Sequence, residues 1–278
     1  MFFGDVGYDD KSYFNYVWPV RAGQSGSLGY SIIGNAGIAG ATVTLSGAAA
    51  ATTTSAADGS YSFTGLANGS YTVTPTLTGY TFSPPSQNVT LNGADVTVPS
   101  FTATDSAPPV INSVTLPVNP TTCTVPVTID ATDNAGIAGY YLSENGATPA
   151  AGAPGWSATL PASFTFVGLG ARTLYVWAKD AAGNLSARSS ATVTIVGVAR
   201  IGVVEYPTLN AACQAASSGD SILTLDALLN ESLTVNKLIK IIGGYNLTYS
   251  GRTGNPTALK GILTIGTGNL TVEGMAVR

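Results

Sequence analysis

Histidine is missing from all 278 residues. That removes the usual general base near neutral pH, the commonest zinc ligand, and every Ser-His-Asp or Cys-His arrangement. Charge is scarce as well. Only 9% of residues are Asp, Glu, Lys or Arg, against roughly 25% in ordinary soluble domains. The 11 Lys and Arg residues are scattered and the formal net charge is −4. A nucleic-acid surface needs clustered cations to displace counterions from phosphates, so that class of partner is not expected. A basic membrane-surface helix is not expected on the same ground. No apolar run approaches the roughly 18 residues that a spanning helix requires, so no transmembrane segment is expected. The two cysteines, Cys123 and Cys213, fall in different predicted units, which does not favour a disulfide between them. Met1-Phe2-Phe3 runs directly into Gly4-Asp5 and Asp9-Asp10-Lys11 without a basic start or an apolar segment, so no signal peptide is read. An exported protein would then be represented here by a fragment, a mature form, or a chain that starts downstream of the native start.

What is abundant is small, neutral and turn-forming. Hydrophobic residues make up 45% and glycine contributes 33 positions, with Ala, Thr, Ser and Val frequent. This composition suits short strands joined by tight turns. The length suggests two or three domains. The predicted fold class is all-β: two tandem immunoglobulin-like β-sandwiches, then a short right-handed parallel β-helix-like segment with one capping helix.

Residues 1–24 are aromatic-rich and too short to fold alone. They read as two strands around the Asp9-Asp10-Lys11-Ser12 turn. Tyr16-Val17-Trp18-Pro19-Val20-Arg21-Ala22-Gly23 resembles the last hairpin of an Lcl-type C-terminal domain of bacterial surface proteins, with Ala22 where glycine is common. These residues are therefore expected to be the remnant of an upstream domain.

Residues 25–104 form the first complete unit. Ala41, Val43 and Leu45 alternate with Thr42 and Thr44, a period of two. Asp58-Gly59 and Asn68-Gly69 each precede an alternating segment, and both are hairpin signals. The run GATVTLSG…DGSYSFTGLANGSYTVTP…GYTFSP resembles the carboxypeptidase regulatory-like and collagen-adhesin B-type sandwich families. Members of the adhesin family often carry a Lys–Asn isopeptide cross-link. This segment contains no lysine, so that feature is not carried over.

Residues 105–109, Asp105-Ser106-Ala107-Pro108-Pro109, read as a linker stiffened by two prolines. Residues 110–196 form the second sandwich. Val125, Val127 and Ile129 share one face, as do Leu174, Val176 and Ala178, leaving Tyr175 and Trp177 opposite. The segment Ala178-Lys179-Asp180-Ala181-Ala182-Gly183-Asn184 resembles the late strand of bacterial immunoglobulin-like or fibronectin-like domains.

Residues 197–278 differ. Leu209, Ala212, Cys213 and Ala216 recur at helical spacing, with Thr208 placed to cap the start and Gly219 to end the helix. Short strands follow: SILTL, SLTVN, KLIKIIGG, ALKGILTIG and NLTVEGMAVR. The order resembles the cap and first turns of pectate-lyase-like β-helix proteins.

Three groups of residues are candidate sites. Asp130, Asp133 and Asp180, with Asn134 and Glu144, are candidate calcium ligands at one end of the second sandwich. The competing reading makes them turn residues bonded to their own backbone. Calcium is the one cofactor these residues suggest. Trp156, Tyr175 and Trp177 are a candidate aromatic strip for a sugar ring or a protein partner. The competing reading has them filling a sandwich edge. In the last segment Glu205, Asp220, Asp226, Glu231 and Glu273 accompany Lys237, Lys240, Arg252 and Lys260, but no pair stands at a spacing that places it across a groove. No catalytic residue is assigned.

These features predict a non-catalytic extracellular or cell-surface structural or adhesive protein, a modular scaffold. The alternatives are a self-assembling extracellular filament subunit using N-terminal strand exchange, and a carbohydrate-binding accessory module. The expected partners are other proteins, or further copies of the chain, at strand edges, and in the third reading surface polysaccharide.

Overall fold

A computed structural model describes residues 29–278. The proposed hairpin of residues 1–24 lies outside the described residues. The chain divides into two compact units, one running to Thr104 and one from Asp105 to Arg278. The regular secondary structure of the described residues is nearly all strand, with one α-helix among them.

The first unit contains β1 (Tyr30–Asn35), β2 (Thr42–Gly47), β3 (Ala51–Thr54), β4 (Ser60–Leu66), β5 (Gly69–Thr76), β6 (Tyr80–Ser83), β7 (Gln87–Leu91), β8 (Val96–Thr97) and all but the last residue of β9 (Thr102–Asp105), Asp105 being the first residue of the second unit. One sheet has the order β3-β2-β5-β7 and another the order β4-β1-β8, while β6 and β9 form a small pair. Period-two alternation puts Val43 and Leu45 of β2, Tyr71 and Val73 of β5, and Val89 and Leu91 of β7 on one buried face. They meet Ile32 of β1 and Tyr61 and Phe63 of β4 in a single core. Ala41, just ahead of β2, is fully buried there too.

The two glycine turns do something other than close hairpins. Asp58-Gly59 leads from β3 in the first sheet to β4 in the second, and Asn68-Gly69 leads from β4 back to β5. Both are arches between sheets. Gly59 has φ +82, a conformation that glycine adopts without a Cβ penalty. Asp58 Oδ1 accepts from Ser60 N–H at 3.0 Å and from Ser60 Oγ–H at 2.6 Å, and these bonds hold its carboxyl below the usual range. The turn chemistry is therefore local, and nothing in it specifies which strand the next segment pairs with. The hairpin in this stretch is β2–β3, joined by the alanine run after Gly47.

The second unit begins with β10 (Val110–Thr115), β11 (Thr124–Pro126), β12 (Thr128–Thr132), β13 (Ile137–Ser143), β14 (Ser163–Thr165), β15 (Gly170–Asp180) and β16 (Ser189–Ile195). The largest of its sheets here is β13-β15-β16, accompanied by the pairs β10-β12 and β11-β14. Val125, Val127 and Ile129 meet Leu174 and Val176 of β15 and Val193 and Ile195 of β16 across the core.

The remainder holds β17 (Ala199–Ile201), β18 (Val204–Tyr206), α1 (Leu209–Ala215), β19 (Ser221–Leu225), β20 (Leu228–Leu229), β21 (Leu233–Val235), β22 (Ile239–Tyr245), β23 (Thr257–Leu259), β24 (Leu263–Ile265), β25 (Leu270–Glu273) and β26 (Met275–Val277). From β19 onward the pairing is parallel and the chain visits three ladders in rotation. These are β19-β22-β25, β20-β23-β26 and β21-β24. Successive turns touch through backbone. A Cβ on Gly243 would stand 2.2 Å from Gly274 O, and one on Gly261 would stand 2.2 Å from Glu231 O. The inward side chains Ile222, Leu229, Leu233, Val235, Ile239, Ile241 and Leu259 form one core with Leu209, Ala212, Cys213 and Ala216 of the helix segment. Between β22 and β23 a longer loop carries Tyr249, which is buried with Val196 and Leu225. Its hydroxyl donates to Gly197 O at 2.7 Å, and burial raises its pKa. This contact ties the end of the sandwich to the coiled strands within the second unit.

The helix is where its apolar spacing predicts it. Thr208 caps it, accepting from Ala211 N–H at 3.0 Å. Its C-terminal end differs from the prediction. The C-cap is Ala216, and Gly219 sits further on at φ +96, donating to Leu238 O. The last carbonyls are met by charge instead: Lys237 Nζ donates to Gln214 O at 2.8 Å and to Ala216 O at 2.6 Å. At the other end Glu231 accepts from Leu209 N–H at 3.0 Å and Asn210 N–H at 2.8 Å. An anion at the first turn and a cation at the last both oppose the helix dipole. Glu231 and Lys237 flank β21, so the strand directly above the helix clasps both of its ends. Glu231→Ala is expected to lower unfolding stability by about 1–3 kcal/mol, since two first-turn amides lose a charged acceptor. A urea midpoint unchanged from the parent would refute this clasp.

Candidate functional site

Three carboxylates converge at one end of the second sandwich. Single oxygens of Asp105, Asp133 and Asp180 all lie within 4.8 Å of one another. Each is placed by a different piece of local chemistry. Asp180 ends β15 and is 2% exposed. The Ala181–Asn184 turn folds back on it, so Oδ1 accepts from Asn184 N–H at 2.9 Å and Oδ2 from Asn184 Nδ2 at 2.7 Å. Asp133 follows β12, and its Oδ1 accepts from Ala135 N–H at 2.9 Å in an Asx turn. Asp105 ends β9. Its Oδ1 accepts from Ala107 N–H at 3.0 Å and from Asn134 Nδ2 at 3.1 Å, while its backbone carbonyl accepts from Asn184 Nδ2 at 3.1 Å.

The second oxygens of two of these acids are orphans. Asp105 Oδ2 and Asp133 Oδ2 are buried and have no hydrogen-bond partner. Among the described residues, none of the ion pairs involves the three acids. Like charges at such distances repel by roughly 3–4 kcal/mol per pair at an effective dielectric near 20.

The sequence reading placed Asp133 and Asp180 together, and the structure brings both to the cluster. The third member is Asp105, from the proline-marked segment between the two sandwiches, and not Asp130. Alternation turns Ile129 inward and Asp130 outward on β12, where it is exposed opposite Ser113. Asn134 joins the cluster through its side-chain amide. Glu144 lies elsewhere, accepting from Val167 N–H at 2.7 Å and standing 3.6 Å from Arg172. Asp105 is separated in sequence from both partners, and its signal, an Asp just before a Pro-Pro pair, is shared with ordinary turns.

The aromatic strip requires a correction. Trp177 is fully buried. It does face away from the aliphatic core, but the excursion between β13 and β14 covers that outer face. Tyr141 packs edge-on against it with centroids 6.1 Å apart, and Trp156 packs on Tyr141 at 5.5 Å. A bridge between Tyr140 and Ser157 fastens the excursion down. Trp156 is half-buried, donates from Nε1 to Ala150 O at 3.0 Å, and carries Lys179 Nζ 4.7 Å from its ring centroid. Tyr175 is covered in the same way by Arg188, at 4.9 Å. These three residues form a packed cluster and not an open platform for a sugar ring.

The scattered acids of the last segment are also engaged. Asp226 lines an open cleft of about 500 Å³ with Tyr245, Asn246 and Leu225. Its Oδ2 accepts from Asn255 at 2.9 Å and Thr253 at 2.7 Å, bonds that hold its pKa below the usual range. Glu273 pairs with Lys240 on the adjacent strand and with Arg252 of the loop between β22 and β23. The Cys213 thiol, buried against the core and close to Glu231, is pushed up to about 11. That disfavours the reactive thiolate.

Fold and site together define an all-β chain of several sheets with immunoglobulin-like sandwich architecture. Residues 15–127 match the SdrD B-like domain family. No curated protein matches. Among solved structures, the chain is 18% identical to a DUF3823 family protein from Bacteroides ovatus, covering 60% of this chain and 99% of that one, with a TM-score of 0.24. It is 16% identical to a streptococcal ancillary pilin, covering 61% of this chain and 62% of that one, at 0.25. It is 14% identical to BcpA, the major pilin subunit of Bacillus cereus, covering 62% and 70%, at 0.30. Among the described residues no helix is long and apolar enough to cross a membrane.

Proposed function

We propose that this chain is a non-catalytic, extracellular or cell-surface structural module that spaces or presents an adhesive element of a bacterial surface protein. The observation carrying this reading is the SdrD B-like match over residues 15–127, which includes the first sandwich with its continuous apolar core and runs on into the second unit. The charge-poor, Thr-rich composition agrees with it, because neutral strands joined by short turns leave few flexible points for proteases. We also infer that residues 197–278 form a short pectate-lyase-like parallel β-helix with α1 as its cap. Support for this comes from the three parallel ladders and the core they share with the helix. Its acids are tied up in hydrogen bonds and ion pairs, which favours a structural role over bond-breaking chemistry.

Surface exposure of the native protein tests the proposal. Intact cells expressing it should bind antibody raised against the purified chain, and brief protease treatment of those cells should remove the signal. Antibody access gained only after lysis would overturn it.

A further inference from the structure

We infer that Asp105, Asp133 and Asp180 form a binding site for a divalent cation of the calcium type. Convergence of acids is not the whole case. Two of their oxygens, Asp105 Oδ2 and Asp133 Oδ2, are shut away from solvent with no donor to meet them, although buried polar atoms in folded proteins are nearly always paired. The opposite oxygens of the same two carboxylates are already used, by Ala107 and Asn134 in one case and by Ala135 in the other. The turn bonds therefore explain half of each carboxylate and leave the other half unexplained. Asp180 is itself 2% exposed, and its two acceptor bonds come from one residue, Asn184, which leaves lone pairs on both oxygens. Among the described residues no Lys or Arg is paired with any of the three. A cation among the carboxylates would satisfy the orphaned oxygens and cancel the mutual repulsion in one step.

The ligand chemistry selects the ion. Three carboxylates offer only hard oxygen donors, and the chain has no histidine. Softer metals that favour nitrogen or sulfur are poorly served. Calcium accepts six to eight oxygens in flexible geometry, whereas magnesium keeps most of its water and is usually held by one or two carboxylates. The site joins three separate pieces of chain: the segment leading into the second sandwich, the turn after β12 and the end of β15. Binding would rivet that end of the sandwich and fix Asp105 to it. Affinities of about 0.1–1 mM are usual for extracellular calcium modules.

Thermal unfolding of the full chain tests this. At 10 mM calcium chloride the transition should rise by about 3–8 °C over that in EDTA. Asp133→Asn should abolish the rise. In EDTA the same variant should melt no lower than the parent, because the amide oxygen keeps the bond from Ala135 while one like charge is gone. A structural aspartate would not give this pattern. If Asp133→Asn does not fold, Asp105→Asn should give the same loss of response. A parent transition unmoved by calcium, or a rise retained in these variants, would overturn the site. A larger rise with magnesium at equal concentration would overturn its assignment to calcium.

Discussion

Trp177→Ala should destabilise the second unit by about 3–5 kcal/mol, the cost of deleting a large, fully buried aromatic. The side chain lies between the β13-β15-β16 sheet and the excursion over it, so its loss opens a cavity on the face away from the aliphatic core. Tyr141 and Tyr175 would lose their ring contacts with it, and the fastening of residues 144–162 would loosen. Trp177→Phe should cost clearly less, since it keeps most of the volume and removes an indole N–H that has no partner. Trp156→Ala, at a half-buried position, should also fall below the Trp177→Ala value. Urea unfolding followed by far-UV circular dichroism would measure all three. A Trp177→Ala variant as stable as the parent would mean that the outer face is open and would revive the aromatic strip as a binding surface. A loss of glycan binding in this variant would otherwise report unfolding and not a lost contact.

The second large effect is expected at Leu259→Ala, about 2–5 kcal/mol. Leu259 points into the interior of the coiled strands and is fully buried. It stands between Leu229 and Val277 on adjacent turns and shares its core with Leu209 and Cys213 of the helix segment. A cavity here would weaken contacts along several turns and against the helix. Leu238→Ala is the matched control. That leucine is 52% exposed, and its removal should stay within about 0.5 kcal/mol. Equal effects at the two positions would contradict the parallel winding, because the winding is what makes one leucine internal and the other external.

Much of the architecture could be read directly from alternation. Ala41, Val43 and Leu45, and later Val125, Val127 and Ile129, are buried because a strand carries every second side chain to the same face. The helix at Leu209 was equally legible, from apolar spacing and a threonine cap. The turns were legible only in part. Asp58-Gly59 specifies a tight reversal, but the direction the chain takes afterwards depends on which sheet offers an open edge. Local backbone preference carries no information about that.

The candidate site shows the same division. Asp133 and Asp180 announce themselves by standing in turns near strand ends, and Asp130 looks no different in sequence. Its exclusion follows from a single step of register on β12. Asp105 joins from a stretch whose prolines mark it as linker, brought in by Asn134 and Asn184 across long sequence separations.

The sequence by itself determined the strand-rich class, the faces of most strands, the helix at Leu209 and the lack of histidine chemistry. Each of these depends on residue type and short-range periodicity. Tertiary structure alone decided that Trp177 is covered, that Lys237 and Glu231 clasp the helix, and that Asp105 replaces Asp130. Those outcomes depend on which distant segments meet, and a one-dimensional pattern does not encode the meeting of two faces until the chain has packed.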